Sequence, residues 1–293
     1  MFIDKPTVPI QLEVILDVLH AVQTKAASSE SIERLIQPKG LPDVNSSSKQ
    51  AFQHLSAARD LGLIAQDEEG NFRLSKIVRE GKPTANQMIL EAFDKFVLSD
   101  VKIEPWFGRI YAFVIAHSSS IPGSQSARDD LCREFNSALP PHIDRSNPAN
   151  STKLSHYLRW YCYVGMGWYD PSGSFVPDPT VRLRRSLKTI FGSSERLDAA
   201  DFMSSLAAVC PELDTGQIFS EVSASVFNRA DRVCTSALAS ALRNLHDEDV
   251  IRLDCPADSQ GWSLERGGSE RNSDTLKSDR FDRVALRKQD DPT

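Results

Sequence analysis

Three times along this chain an amphipathic helical segment runs into a short strand, a turn that holds a glycine, and a return strand with an aromatic residue at or near its start. The glycines are Gly70, Gly173 and Gly261, separated by 103 and 88 residues, and the aromatics are Phe72, Phe175 and Trp262. No other feature limits the fold as much, because a two-stranded ribbon is marginal alone. A large side chain on the return strand has to pin it to neighbouring helices.

The helices ahead of each hairpin are read from apolar spacing. In the first copy Leu12, Ile15, Leu16 and Leu19 line one helix, Ser29 can cap a second carrying Ile32, and a third has Phe52, Leu55 and Ala58 inward. In the second copy Trp106, Ile110, Phe113 and Val114 mark a helix, Ser126 can cap the next with Leu131 and Phe135 inward, and Leu154, Leu158, Tyr161 and Cys162 line a third. The third copy takes Phe202, Leu206 and Val209, then Ile218, Val222 and Val226, then a helix capped by Asp231 that carries Cys234, Leu238, Ala241, Leu242 and Leu245. Residues 250–253 and 262–264 are expected to be its hairpin strands, with Trp262 buried like Phe72 and Phe175. Segments 84–98 and 180–191 read as helical spacers. The pattern predicts a mainly α fold with small β-hairpins, divided as 1–82, 83–180 and 181–265. Residues 266–293, with seven basic and six acidic side chains and no apolar period, are expected to be a charged, disordered tail.

Composition narrows the function. Of the 293 residues 40% are hydrophobic and 25% charged, enough for ordinary cores without metal or disulfide support. The formal net charge of -6 rules out a chain that attracts phosphates as a whole, so any anion contact has to be local. The five cysteines form no CxxC pair and no histidine stands at ligand spacing, so no structural metal and no cofactor is expected. No apolar run reaches the length of a membrane span or a signal segment, and the expected location is the cytoplasm, with no membrane contact. Phosphate-loop, dinucleotide, zinc-protease and nucleophile-elbow motifs are all missing, so no enzyme is expected.

Helix, helix, helix, hairpin is the order of the winged-helix DNA-binding superfamily, which the chain resembles in tandem form, as three units. Within it, Leu61-Gly62-Leu63-Ile64 followed by Gly70-Asn71-Phe72-Arg73-Leu74 resembles the DpdG component of bacterial systems that place 7-deazaguanine derivatives in DNA and restrict foreign DNA. The resemblance implies a DNA-associated adaptor whose partners are duplex DNA, protein subunits of a DNA-processing complex, or both, and it leaves a homo-oligomer open. A second resemblance, to the acidic winged-helix subunits of condensin-like complexes that bind a kleisin chain, implies a protein scaffold without DNA contact.

If the last helix of each unit enters the major groove, its outward residues meet the DNA. These are Ser48, Lys49 and Gln53 in the first unit and Thr152, Lys153, His156 and Arg159 in the second. In the third they are Arg229, Arg232, Ser236, Ser240 and Arg243, the strongest set because it holds three arginines. A separate run places Arg182, Arg185 and Lys188 on one helix face, with Arg184 beside them.

Overall fold

The computed structural model of the chain describes residues 7–21, 27–36, 47–75, 83–98, 104–117, 120–144, 146–223, 232–256, 259–264 and 279–287. Helices α1 (Pro9–Ala21), α2 (Ser29–Ile36) and α3 (Ser47–Asp60) precede the hairpin of β1 (Ile64–Gln66) and β2 (Phe72–Leu74). After α4 (Ala85–Phe93) and a π-helical turn (Asp94–Leu98) come α5 (Phe107–Ala116), α6 (Gln125–Ala138) and α7 (Ser151–Tyr163). The hairpin of β3 (Gly167–Tyr169) and β4 (Phe175–Pro177) follows. Next are α8 (Thr180–Phe191), β5 (Arg196–Asp198), α9 (Ala199–Val209), α10 (Gln217–Ser223) and β6 (Val233–Cys234). The order closes with α11 (Ser236–Asp247), β7 (Ile251–Asp254), β8 (Trp262–Leu264), β9 (Arg280–Phe281) and β10 (Arg283–Leu286). The chain is mainly helical with small antiparallel hairpins, and it divides into two compact units, 1–105 with 152–163, and 106–151 with 164–293.

In the first unit the α1 stripe of Leu12, Ile15, Leu16 and Leu19 is buried as its spacing requires. Ser28, one residue before the expected Ser29, caps α2 by accepting the Ser31 amide. On α3 the buried arc runs through His54, Leu55, Ala57, Ala58 and Leu61, while Phe52 is 57% exposed. At 100° per residue Phe52 lies about 150° from the centre of that arc, so the expectation of an inward Phe52 is corrected. His54 takes an inner place instead, its Nε2 accepting the Val8 amide at 2.9 Å. Residues 152–163 of α7 belong to this unit, where Trp160 stacks on Phe93 at 4.7 Å and donates to the Thr7 carbonyl at 3.0 Å. Tyr157 donates to Glu104 at 2.8 Å.

In the second unit every residue of α5 is buried. Gly108 lets α10 come close, since a Cβ there would lie 3.2 Å from Ile218, and Arg109 pairs with Glu221 at 2.9 Å. Ser124, not Ser126, caps α6 through the Ala127 amide. Phe135 of α6 packs edge-on against Trp106 and Phe113.

The hairpins follow one scheme. In each of the first two, an aspartate opens a five-residue turn and its carboxylate accepts the last amide of that turn: Asp67 from Asn71 at 2.8 Å, Asp170 from Ser174 at 2.9 Å. Gly70 and Gly173 hold φ of 85° and 79°, a conformation that costs only glycine little. Phe72 and Phe175 are buried, and each is bridged antiparallel to a residue between the first two helices of its copy, Ala27 and Ile121. The strand order is therefore bridge residue, return strand, outgoing strand.

The third copy keeps this order with a different cast. The sheet runs β5–β10–β7, so the middle return strand is β10 and not residues 262–264. Helix α8, read from the sequence as a spacer, stands before β5 as α1 stands before Ala27. The junction between last helix and outgoing strand fixes this register independently. Gly62, Gly165 and Asp249, with φ of 66°, 74° and 55°, each lie two residues past the helix and two before the strand. The expected hairpin of 250–253 with 262–264 does not form: β8 pairs parallel with β6 and antiparallel with β9. Gly261 is no wing glycine, having no positive φ; a Cβ there would lie 2.5 Å from the Phe281 carbonyl, so it is small to admit that strand. Trp262 is half-buried, and the fully buried aromatic is Phe281, edge-on to Phe202. The expected disordered tail thus supplies two strands. Among its described residues Phe281 and Val284 are buried, too few to show a period.

Candidate nucleic-acid interface

The structure sorts the expected contact residues by what already holds them. Arg243 is 7% exposed; its guanidinium donates to the Leu264 carbonyl at 2.9 Å and lies 3.8 Å from Asp279. It ties α11 to β8 and is withdrawn from solvent. Arg182 is 1% exposed, bonded through Nε to Glu212 at 3.1 Å, through Nη2 to the Val209 carbonyl at 3.1 Å, and through Nη1 to Ser186. Lys153 is buried too. These three cannot reach a phosphate without leaving the interior, which corrects the expectation for them. A guanidinium facing a buried carboxylate is stable inside only while the pair is intact.

Arg232 is exposed and precedes β6 rather than standing on α11, its Nη1 donating to the Gln260 carbonyl at 3.2 Å. Ser236 and Ser240 are half-buried on α11. The leading end of that helix is capped by Thr235, whose amide and hydroxyl both donate to buried Asp214, at 2.5 and 2.7 Å. A carboxylate thus already meets the positive end of the helix dipole, which leaves a poor seat for a phosphate. Arg229 and the expected cap Asp231 lie outside the described residues. On α7, Thr152 and Arg159 are exposed and His156 is half-buried; burial, then the Arg159 charge, holds its imidazole below the ordinary value. Ser48 and Lys49 stand on the first turn of α3, their side chains outside the described residues, and Gln53 is half-buried.

The sequence grouping on α8 turns by one residue. Arg182, Leu183, Ser186, Leu187 and Ile190 face inward, and the outward stripe is Val181, Arg184, Arg185 and Lys188, at the i, i+3, i+4, i+7 spacing of one helix face. Arg184 pairs with Glu248. Arg185, half-buried, donates to the Val164 carbonyl at 3.1 Å, and Lys188 is exposed. Sequence reasoning missed Trp168 and Tyr169, both exposed on β3; the signal was present as two large aromatics beside a turn.

Among the described residues no group of histidine, cysteine and carboxylate side chains could hold a metal ion. None of the five cysteines is in a disulfide, and burial, with the Asp129 charge beside it, pushes the Cys132 thiol up to about 11, which marks it as a packing residue. Among the described residues no helix is long and apolar enough to cross a membrane.

The sequence matches the DpdG-like family over residues 3–259. The chain belongs to that family. This places it in a group associated with phage defence and DNA modification, and the matched span runs from the first copy through α11 and β7 of the third. No curated protein and no solved structure matches the chain.

Proposed function

We propose that this DpdG-like protein is a non-enzymatic, DNA-associated adaptor of a phage-defence or DNA-modification system, built from three tandem winged-helix units and working in the cytoplasm. The observation that carries the reading is the threefold recurrence of one strand order, with Ala27, Ile121 and β5 each beside the return strand of its copy. The third unit is the divergent one, its wing lengthened so that β10 closes the sheet. Among the described candidate cations, Arg159, Arg232 and Lys188 are exposed and can meet a backbone.

The burial of Lys153, Arg182 and Arg243, with the net charge of -6, favours a second reading, in which the units hold protein subunits and DNA is met only through them. Fluorescence anisotropy on a labelled duplex at several salt concentrations separates the two. The adaptor reading expects binding whose log affinity falls with log salt by roughly 0.9 per phosphate contacted. The scaffold reading expects no duplex binding near physiological salt and a stable complex with subunits of its system.

A further inference from the structure

The three copies can be compared position by position, and one carries what the others do without. Counted from the left-handed residue of each copy, Trp168 stands where the first has Ala65 and the third Arg252, and Tyr169 where the first has Gln66. The cross-strand register agrees: Trp168 faces Val176 as Ala65 faces Arg73, and Tyr169 faces Phe175 as Gln66 faces Phe72. The first hairpin forms with a methyl and an amide in these places, so the ribbon itself does not require aromatics there. Both nevertheless stand in solvent, Trp168 49% and Tyr169 43% exposed. Successive strand residues point to opposite faces, so Tyr169 shares the inner face of Phe175, on which it packs edge-on, and Trp168 stands on the outer face, where a large aromatic left wet marks a contact surface.

The surroundings identify its chemistry. The first turn of α8 abuts the foot of this strand: Arg182 donates its amide to the Gly165 carbonyl at 3.0 Å, and a Cβ on Gly165 would lie 2.5 Å from Val181. The outward stripe of α8 therefore begins three residues, or about 10 Å of extended chain, from Trp168. It continues through Arg185, anchored on Val164, to Lys188. Three carboxylates on or against these segments have partners of their own. Asp170 is taken up by its own turn, Asp178 accepts the amide and hydroxyl of Thr180, and Glu248 holds Arg184.

We infer that the second wing and the α8 stripe form a binding surface for single-stranded or unpaired nucleic acid, with Trp168 stacking on a base and Arg185 and Lys188 holding the backbone. The inference deepens the nucleic-acid reading above and rests on it. Aromatic faces accept any base, and cations that track the strand supply the salt-dependent part. The surface is suited to a strand already opened and has no need of Lys153 and Arg243, the recognition-helix cations that are buried.

The test uses the full chain, a labelled oligothymidylate and a duplex of the same length. Trp168→Ala is expected to weaken single-strand binding roughly 5- to 150-fold, Trp168→Phe to keep most of it, and duplex binding to stay within about twofold for both. Arg185→Ala with Lys188→Ala should flatten the single-strand salt slope by up to about 1.4. Arg184→Ala, whose charge is already paired, should leave the slope in place. Duplex binding without single-strand binding, or single-strand binding indifferent to Trp168→Ala, overturns the inference and leaves the adaptor reading standing. Binding to neither oligonucleotide overturns both. Loss of subunit capture in Trp168→Ala, with oligonucleotide affinity intact, makes the wing a protein contact and also overturns it.

Discussion

Phe281→Ala is the sharpest probe of the completed third sheet. The ring is fully buried, set edge-on to Phe202 at 6.5 Å and 88°, and its carbonyl lies over Gly261. Removing it leaves a cavity the size of a phenyl ring, and a Phe→Ala change in a packed core costs about 3–5 kcal/mol. For a unit of this size that is a fall in melting temperature of roughly 6–20 °C. Urea denaturation followed by circular dichroism reads it, with Phe52→Ala as a comparison; Phe52 is 57% exposed, and its loss should cost within about 0.5 kcal/mol. A tail merely laid on the surface would give Phe281→Ala the same small effect. A loss below about 1 kcal/mol, or amides of 283–286 that exchange as fast as an open chain, would refute the strand assignment.

Arg182→Ala should destabilise by about 3–5 kcal/mol in the same assay, because it strands the buried Glu212 carboxylate; a variant that melts like the parent would return Arg182 to the surface. Gly167→Ala should cost far more than Gly173→Ala. A Cβ on Gly167 would lie 2.3 Å from the Phe175 ring, whereas Gly173 has open space and only its φ of 79° to strain, about 1–2 kcal/mol; equal melting temperatures would count against this packing. Hydrogen bonds from Ser172 and Ser174 hold the Asp170 carboxyl below its ordinary value, so its contribution to the wing is present above the unfolded pKa and lost as pH falls through the lower folded one. The Ser174 amide resonance should therefore titrate only below pH ~4, and in Asp170→Asn this titration should vanish.

The first two hairpins were legible because an aspartate, a glycine three places on and an aromatic two further are enough to specify the turn and its anchor. Ala27 and Ile121 were not, since a strand one residue long has no period. The third wing misled because Gly261-Trp262 copies the look of a wing glycine with its aromatic, while the glycine serves the approach of another strand. On α8 the inward face was missed because apolar spacing cannot see an arginine buried by its carboxylate, nor a valine left outside. The contact residues suffered for the same reason: Lys153 and Arg243 have the composition of a wet helix face, and only tertiary partners take them inside.

The long third wing has a consequence for when each copy can close. Five residues, 170–174, separate the strands of the second hairpin, and 28, 255–282, separate β7 from β10. Closing the larger loop costs about 1.5 kcal/mol more in chain entropy. Both β5 and β7 have β10 as their partner, so neither is paired until that loop closes. During synthesis the first two hairpins can zip within a few residues of emerging, whereas helices α8, α9 and α11 have to wait, their sheet open at its centre, until residue 286 has left the ribosome.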